Sequence, residues 1–578
     1  MKFSVYNLGC RVNLAELEKI TDDLIRRGYT YETTQSNNPR LHNERDINDA
    51  EVEFIEIAIV NTCTVTARAD KKSWRMIRLL AETTSLEFLF ITGCYSELEP
   101  RLAEKLHRYK IKSTIVAQRD KSNLADIIDR TVRTTYGYTY ENHRAAYLNK
   151  FEAFKQSRAY IGAMVSSQER FYRHNRALIK IQDGCNVFCS YCRIPYARGA
   201  PRSRAAADIV NQVIKLAKTG VHELVLAGIN LSAYHDKTAK MTFSGLLMRL
   251  LAVIEGTKTK IRLSSLEPHG LDEDFFTKVL PHPNMTPHLH LPLQSASAHV
   301  LKDMNRRYTL AEYKAIIDRI YAVSPYFAIT TDIITGYPGE SETDFATGLE
   351  FIRACRFFKL HVFPFSYRPL SSLPSATAEQ GSSSTVTSSE KKYRADTLRA
   401  LSRELEQEKL QLYSNLTQSM ILETRLDENE VATWLTQYPH ILRVLTQLNP
   451  SIPTTSENKY HNATAVIGGS SRSTANEFCT VINTANTTNT ANNSNTTELA
   501  ISHQNEQQFN QFNQFNDFYV YTGTSEYYVK GKVVVFKEQL TYNLPASFTS
   551  GDLSPDKMLG KAISVRLSER NPLWFVVA

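Results

Sequence analysis

Between residues 177 and 365 the chain repeats one pattern, a short β-like run and then a helical one. The β-like runs are ALIKIQ, HELVLAG, KIRLSSL, HLHLPLQ, AITTDIITG and FFKLHVFPF. Between them lie AAADIVNQVIKLAKTG, FSGLLMRLLAVIE, a two-part stretch from LDEDFFTKVL to HVLKDM divided by a strand, LAEYKAIIDRIYAV and TDFATGLEFIRAC. Units of this length pair their strands in parallel through right-handed crossovers, which predicts an open or closed β/α barrel over residues 173–400.

A second alternating region runs from Met1 to about residue 135, with FSVYNLGC, IEIAIVNTCTV and LEFLFITGC as strands and LAELEKITDDLIRRG as an amphipathic helix. It reads as a separate α/β domain with parallel strands. Residues 136–172 read as a linker. After the barrel comes a polar loop, then the helical run SEKKYRADTLRALSRELEQEKLQLY, then the β runs SMILETRL, YYVKGKVVVF, KAISVRL and WFVVA. Residues 401–426 and 519–578 are thus expected to build a small β-barrel. Residues 427–518 interrupt it with NTANTTNTANNSNTT and FNQFNQFN, a composition expected to stay largely disordered, with one short ordered piece near WLTQYPHILRVL.

No apolar run approaches the roughly 18 to 20 residues of a membrane span, and the first thirty residues lack a signal peptide's order. A cytoplasmic protein without membrane contact is expected. The net charge of +8 is diffuse and permits a polyanionic partner without identifying one.

Eight cysteines in 578 residues are too sparse for a disulfide scaffold, so their spacing decides their role. Cys185, Cys189 and Cys192 form CNVFCSYC directly after the first barrel run. Three thiolates on one loop at a barrel mouth can bind three irons of a 4Fe-4S cluster and leave the fourth open to an outside ligand. The competing reading is a zinc knuckle, which wants four protein ligands; no fourth lies nearby at that spacing. Cys10, Cys63 and Cys94 each end or follow a strand of the first domain, in NLGC, VNTC and ITGC. The carboxyl edge of a parallel sheet is where loops converge, so these thiols could meet; three separate core cysteines are the alternative.

The CxxxCxxC loop, with Tyr191 before its last cysteine, resembles that of the radical S-adenosylmethionine (SAM) superfamily. That resemblance implies that the open iron chelates SAM and that one electron cleaves it to a 5′-deoxyadenosyl radical. It also implies cofactor contacts at strand ends, for which Asn230, Gln294 and Gly336 are the candidates; each also suits an ordinary turn. Further, LGCRVN, NTCTVT, GCYSE, IQDGCNVFCSYCRIPYARG, RLSSLEP, HLHLPLQS, MNRRYT, TTDIITGYPGE and HVFPFSYRP together look like the radical SAM methylthiotransferases. The resemblance implies a second 4Fe-4S cluster on Cys10, Cys63 and Cys94, and an RNA-binding TRAM β-barrel at the C-terminus. Cys355 and Cys479 match no family motif. Ala296, and the SSL of RPLSSLPSA, depart from the family's usual glycine and glycine-threonine.

Among the family's branches, LGCRVN with NTCTVT, IPYARG followed by RSR, and HVFPFSYRP look most like enzymes acting on N6-threonylcarbamoyladenosine in tRNA. The expected reaction replaces the C2 hydrogen of that adenosine, next to the anticodon, by a methylthio group. Its expected partners are tRNA, an electron donor protein and a sulfur donor. Arg198, Arg202 and Arg204 follow the cysteine loop and are candidate phosphate contacts, or else a solvated loop. Rival readings are an isopentenyladenosine or ribosomal-protein substrate, and an iron-sulfur RNA-binding protein without turnover.

Overall fold

Strands buried on both faces must be apolar almost throughout, and Ile57–Thr62 and Phe88–Gly93 are buried at all six positions. In the computed structural model they are the centre of a five-stranded parallel sheet. Its strands are β1 (Lys2–Asn7), β2 (Thr30–Tyr31), β3 (Ile57–Thr62), β4 (Phe88–Gly93) and β5 (Lys112–Ile115), in the order β2-β1-β3-β4-β5. Helices α1 (Arg11–Arg26), α2 (Ala67–Glu82), α3 (Cys94–Leu98), α4 (Leu102–Leu106) and α5 (Leu124–Tyr136) accompany it. Leu17, Leu24, Ile128 and Val132 of α1 and α5 cover one face with Phe3 and Ile57; Ile77, Leu80 and Leu102 of α2 and α4 cover the other with Ala58 and Leu89. The structure describes residues 1–32, 55–83, 86–136, 176–368 and 386–413, together with the backbone of five later strands. The expected linker, apart from Tyr136 at the end of α5, and most of the expected insertion lie outside the described residues.

All six barrel runs form strands. They are β6 (Arg176–Lys180), β7 (Glu223–Ala227), β8 (Lys260–Leu263), β9 (His288–His290), β10 (Ala328–Thr335) and β11 (Lys359–Pro364). They pair in parallel as β8-β7-β6 and β9-β10-β11, and the two halves join through bridges Ile261 to Met285 and Ser265 to His290. Among the described residues no pairing links β6 to β11, so the barrel is open. Helices α6 (Ile194–Arg198), α7 (Ala206–Lys218), α8 (Phe243–Ile254), α9 (Ala298–Asp303), α10 (Leu310–Val323) and α11 (Glu342–Cys355) occupy the crossovers. The run DFFTKVL yields only a single wide turn, Phe275–Val279. Capping boxes of Thr309 with Glu312 and Ser341 with Asp344 start α10 and α11, satisfying amides that would otherwise be orphaned.

Alternation gives the barrel sheet two unlike faces. Leu224, Leu226, Ile261, Leu263, Leu289 and Ile329 pack outward into the helix layer. Of the intervening positions, Glu223, Arg262, His288, His290, Thr330 and Asp332 are polar and face the lumen, where Leu178 and Val225 sit beside Arg262 as apolar neighbours. Glu223 pairs with Arg176 (2.5 Å) and Arg262 (2.8 Å), while His290 bonds Thr330 Oγ1 (2.9 Å) and Asp332 (3.3 Å). Burial alone would raise the Glu223 carboxyl, but Arg262 and Arg176 hold it down at about 2. A carboxyl depressed from an unfolded value near 4.3 contributes about 3 kcal/mol above pH ~5, lost as pH falls toward the folded value. Removing one partner of such a buried pair costs about 3 to 5 kcal/mol, so Glu223→Gln should lower stability by that amount at pH 7 in chemical denaturation. The gap between variant and parent should narrow as pH falls from about 5 toward 2. A gap independent of pH would contradict this account.

Helix α12 (Ser388–Tyr413) runs straight through the barrel boundary expected at residue 400, and the first compact unit closes at Glu408. The second unit holds β12 (Thr417–Arg425), β13 (Phe478–Thr480), β14 (Phe518–Ser525), β15 (Lys530–Phe536) and β16 (Ala562–Arg566). They form one sheet in the order β13-β15-β14-β12-β16, antiparallel except for β13 with β15. Strand β13 falls inside the segment expected to be disordered. The WFVVA run lies outside the described residues. Among the described residues no helix is long and apolar enough to cross a membrane.

Candidate metal centres

The loop between β6 and α6 carries Cys185, Cys189 and Cys192. Gly184 enters it at φ 73°, and a Cβ there would stand 2.1 Å from the Ala200 carbonyl oxygen, so only glycine fits. The Cys185 amide donates to Gly199 O (3.0 Å), and the Cys192 amide to Cys189 O (2.9 Å). Every sulfur has a donor. Val187 N–H reaches Cys185 Sγ (3.5 Å), Ile194 N–H reaches Cys192 Sγ (3.4 Å) and Arg306 Nη1 reaches Cys189 Sγ (3.1 Å). Arg306 is itself fixed by an ion pair with Glu267. Burial pushes the Cys192 thiol up to about 12 and also raises Cys185, with the neighbouring cysteines adding repulsion. The Cys185 and Cys192 thiols therefore keep their protons near neutral pH, and a metal must displace them.

The second triplet assembles at the carboxyl edge of the N-terminal sheet. Cys10 caps the sixteen-residue α1, Cys63 directly follows β3, and Cys94 opens α3. Cys63 and Cys94 are buried; Cys10 is exposed. Burial lifts the Cys63 thiol to about 11, and Cys94 and Cys10 lie close enough to add their repulsion. Burial raises Cys94 too, against the attraction of the Arg198 charge. Gln118 Nε2 donates to Cys94 Sγ (3.5 Å). Gly93 stands at φ 107°, where a Cβ would lie 2.4 Å from Thr62 O. Gly93→Ala must therefore push Cys94 off the edge, and iron analysis should find about four fewer irons per chain than in the parent. Unchanged iron would contradict that.

Among the described residues no three His, Cys, Asp or Glu side chains close around a point suited to one metal ion. A four-iron cluster asks for a different arrangement, since each thiolate binds a separate iron. Sulfurs bonded by amides and a guanidinium are the surroundings such a cluster uses, because those bonds tune its potential. The two triplets fit it.

Asn230 lies buried beyond β7: its amide donates to Gln182 Oε1 (2.8 Å), and its Oδ1 is buried without a partner. An orphaned acceptor beside the loop suits a polar ligand. Gln294 holds φ 69° and bridges to Asp332 O and Ile334 N, while the Gly336 amide donates to Glu340 (2.7 Å). Arg198 departs from the sequence expectation. Its side chain is 2% exposed, bonded to Asn13 and to Glu16 (3.0 Å) and Asp183 (2.8 Å), which removes it from any surface a phosphate reaches. Arg204 is half-buried and donates to Lys180 O (2.8 Å) and Gln212 (3.0 Å). Arg202 alone of the three is exposed, at 59% of its side chain. Cys355 is packed in the barrel core.

Sequence reasoning passed over Arg193, Arg306 and Arg368, and over Gly93 and Gly184. A signal for the glycines was present: the dipeptide Gly-Cys recurs at 9–10, 93–94 and 184–185.

Residues 179–352 match the model of the radical SAM superfamily, and residues 2–116 that of the uncharacterized protein family UPF0004. The open barrel with its cysteine loop is thus that of a radical SAM enzyme. The chain is 32% identical to the threonylcarbamoyladenosine tRNA methylthiotransferase MtaB of Bacillus subtilis, over 74% of this chain and 85% of that one. It is 32% identical to the MtaB of Chlamydia pneumoniae (63% and 75%) and 28% identical to the tRNA-2-methylthio-N(6)-dimethylallyladenosine synthase of Lachnoclostridium phytofermentans (66% and 76%). The chain belongs to the radical SAM methylthiotransferase family, whose members use SAM and two 4Fe-4S clusters.

Proposed function

We propose that the chain is a tRNA methylthiotransferase that replaces the C2 hydrogen of N6-threonylcarbamoyladenosine, next to the anticodon, with a methylthio group. The observation that carries this reading is the pair of cysteine triplets, one on the barrel loop with a donor at each sulfur and one on the adjacent sheet edge with a donor at Cys94. Cys185, Cys189 and Cys192 would hold the cluster that binds SAM, and Cys10, Cys63 and Cys94 the second. Bound there, the cofactors supply a 5′-deoxyadenosyl radical able to take hydrogen from an aromatic carbon too weakly acidic for a general base, together with the sulfur and methyl to be transferred.

The rest falls to the chain. Asn230 Oδ1, Gln294 and Gly336 would seat SAM. Arg306 would orient Cys189, and the exposed Arg202 would meet RNA phosphate. The five-stranded sheet of the second unit would grip the tRNA as a TRAM-like module, and the target base must leave its stack to reach the lumen. An electron donor and a sulfur donor would act with it in the cytoplasm. The threonylcarbamoyl substrate is supported by the motifs and by a lumen of Arg262, His288, His290 and His361, which suits a carboxylate and a hydroxyl better than an apolar chain.

Nucleoside mass analysis of tRNA from cells with and without the protein tests the assignment. We expect the 2-methylthio form of threonylcarbamoyladenosine to vanish and its unthiolated parent to accumulate. Disappearance of 2-methylthio-isopentenyladenosine instead would move the chain to the other branch that its similarity to the dimethylallyladenosine synthase allows. No change in either nucleoside would refute a tRNA role.

A further inference from the structure

Three arginines of the barrel reach the residues that flank the N-terminal cysteines. Arg193, which directly follows Cys192, donates through Nη1 to Thr64 Oγ1 (3.1 Å) and Asp70 Oδ2 (3.4 Å), and through Nη2 to Leu98 O (3.4 Å). Thr64 directly follows Cys63. Arg368, beyond β11, bonds the same Thr64 Oγ1 (2.8 Å) and Asp70 (2.5 Å). Arg198 lies next to Gly199, whose carbonyl accepts the Cys185 amide, and its guanidinium holds Asn13 and Glu16 of α1. Asn13 in turn donates to Thr62 O (3.0 Å), just before Cys63, and accepts from Asn61 (2.8 Å). Each cysteine triplet is thus one or two bonds from an arginine that holds the other.

Energetics argue against mere adhesion. Arg193, Arg198 and Arg368 are 8%, 4% and 5% exposed, and apolar side chains of similar volume would join two domains at lower desolvation cost. A guanidinium fork gives something else, because it fixes direction as well as distance. Chemistry shared between two centres needs that, since a 1 Å misplacement can cost about 10²-fold in rate.

We propose that Arg193 and Arg198 are positioning residues that hold the three-cysteine domain in register with the barrel's cysteine loop, so that the two centres act in step on one substrate. The proposal rests on the two-centre reading above. Its test uses holoenzyme of the parent and of Arg193→Lys, Arg198→Lys and Arg198→Met, given SAM, a reductant, sulfide and threonylcarbamoylated tRNA. Iron, 5′-deoxyadenosine and methylthiolated nucleoside are measured in the same samples. The variants should keep about eight irons and near-parental 5′-deoxyadenosine. They should make about 10²-fold less product, so the ratio of 5′-deoxyadenosine to product rises by that factor. Electron paramagnetic resonance of the reduced variants should show weakened coupling between the centres.

A ratio unmoved with iron intact overturns the proposal, and so does loss of one site's iron from a folded variant, because the arginine would then serve cluster retention. If the arginine variants fail to fold, Thr64→Val, which removes only the hydroxyl shared by Arg193 and Arg368, is subject to the same readouts. A parent holding about four irons would overturn the two-centre reading and this proposal together, whereas eight irons with a parental ratio overturns this proposal alone.

Discussion

Protein prepared without oxygen should hold about eight irons per chain, and replacing Cys185, Cys189 and Cys192 together by alanine should leave about four. That variant should form no 5′-deoxyadenosine. The reciprocal variant at Cys10, Cys63 and Cys94 should also keep about four irons, yet still cleave SAM while making no methylthiolated product. The difference follows from the separate supports of the two triplets. The barrel loop's own backbone and sulfurs are held by Gly184, Asn305 and Arg306, whose hydrogen bonds lie within the barrel, while Arg193 and Arg198 join the loop to the sheet edge without touching its sulfurs. The N-terminal triplet rests on β3, β4 and α1. Loss of all iron from the barrel variant, with its circular dichroism unchanged, would refute two independent sites. Product formation by the N-terminal variant would be equally damaging, because it would leave the second triplet without a role.

The barrel strands were legible because a sheet with two unlike faces writes a period of two into its sequence. HLHLPLQ is the plainest case: Leu289 and Leu291 enter the helix-side core while His288 and His290 face the lumen. The six cysteines were legible for a related reason, since a loop that follows a parallel strand ends at the edge where loops meet. Side-chain pairing across the two domains was not. Arg198 and Glu16 are 182 positions apart, and the local string ARGAPRSR reads as a solvated basic run whatever lies against it. Only the fold reveals that Glu16, Asp183 and Asn13 surround Arg198. Burial alone would raise the Glu16 carboxyl, but Lys121, Arg198 and Lys180 hold it well below the usual carboxylate range, so the group stays ionised and the junction stays paired. The boundary expected near residue 400 falls inside α12, one continuous helix; no proline or glycine within it marks where one unit gives way to the next.

Purified enzyme given SAM, a reductant and sulfide should methylthiolate threonylcarbamoylated tRNA and leave unmodified and isopentenylated tRNA nearly untouched. The two side chains differ in kind. One presents a carboxylate and a hydroxyl, the other an apolar branched chain. A site that binds the first must offer buried polar or cationic partners, and an apolar analogue would leave those partners dehydrated and unpaired. Sites built on hydrogen bonds reject analogues that lack them by about 10⁴-fold or more, whereas apolar pockets discriminate by only about 10- to 200-fold. The lumen is mainly of the first kind: Arg262, His288, His290, Thr330 and Asp332 sit on its inward face beside the apolar Leu178 and Val225, and Leu224, Leu226, Ile261, Leu263, Leu289 and Ile329 are turned away. Comparable turnover on isopentenylated tRNA would overturn the threonylcarbamoyl assignment, since this lumen would then be accepting a chain that pairs with none of its polar groups. The iron measurements would be untouched by that result, because the cysteine triplets constrain the radical chemistry and the lumen constrains only what that chemistry is offered.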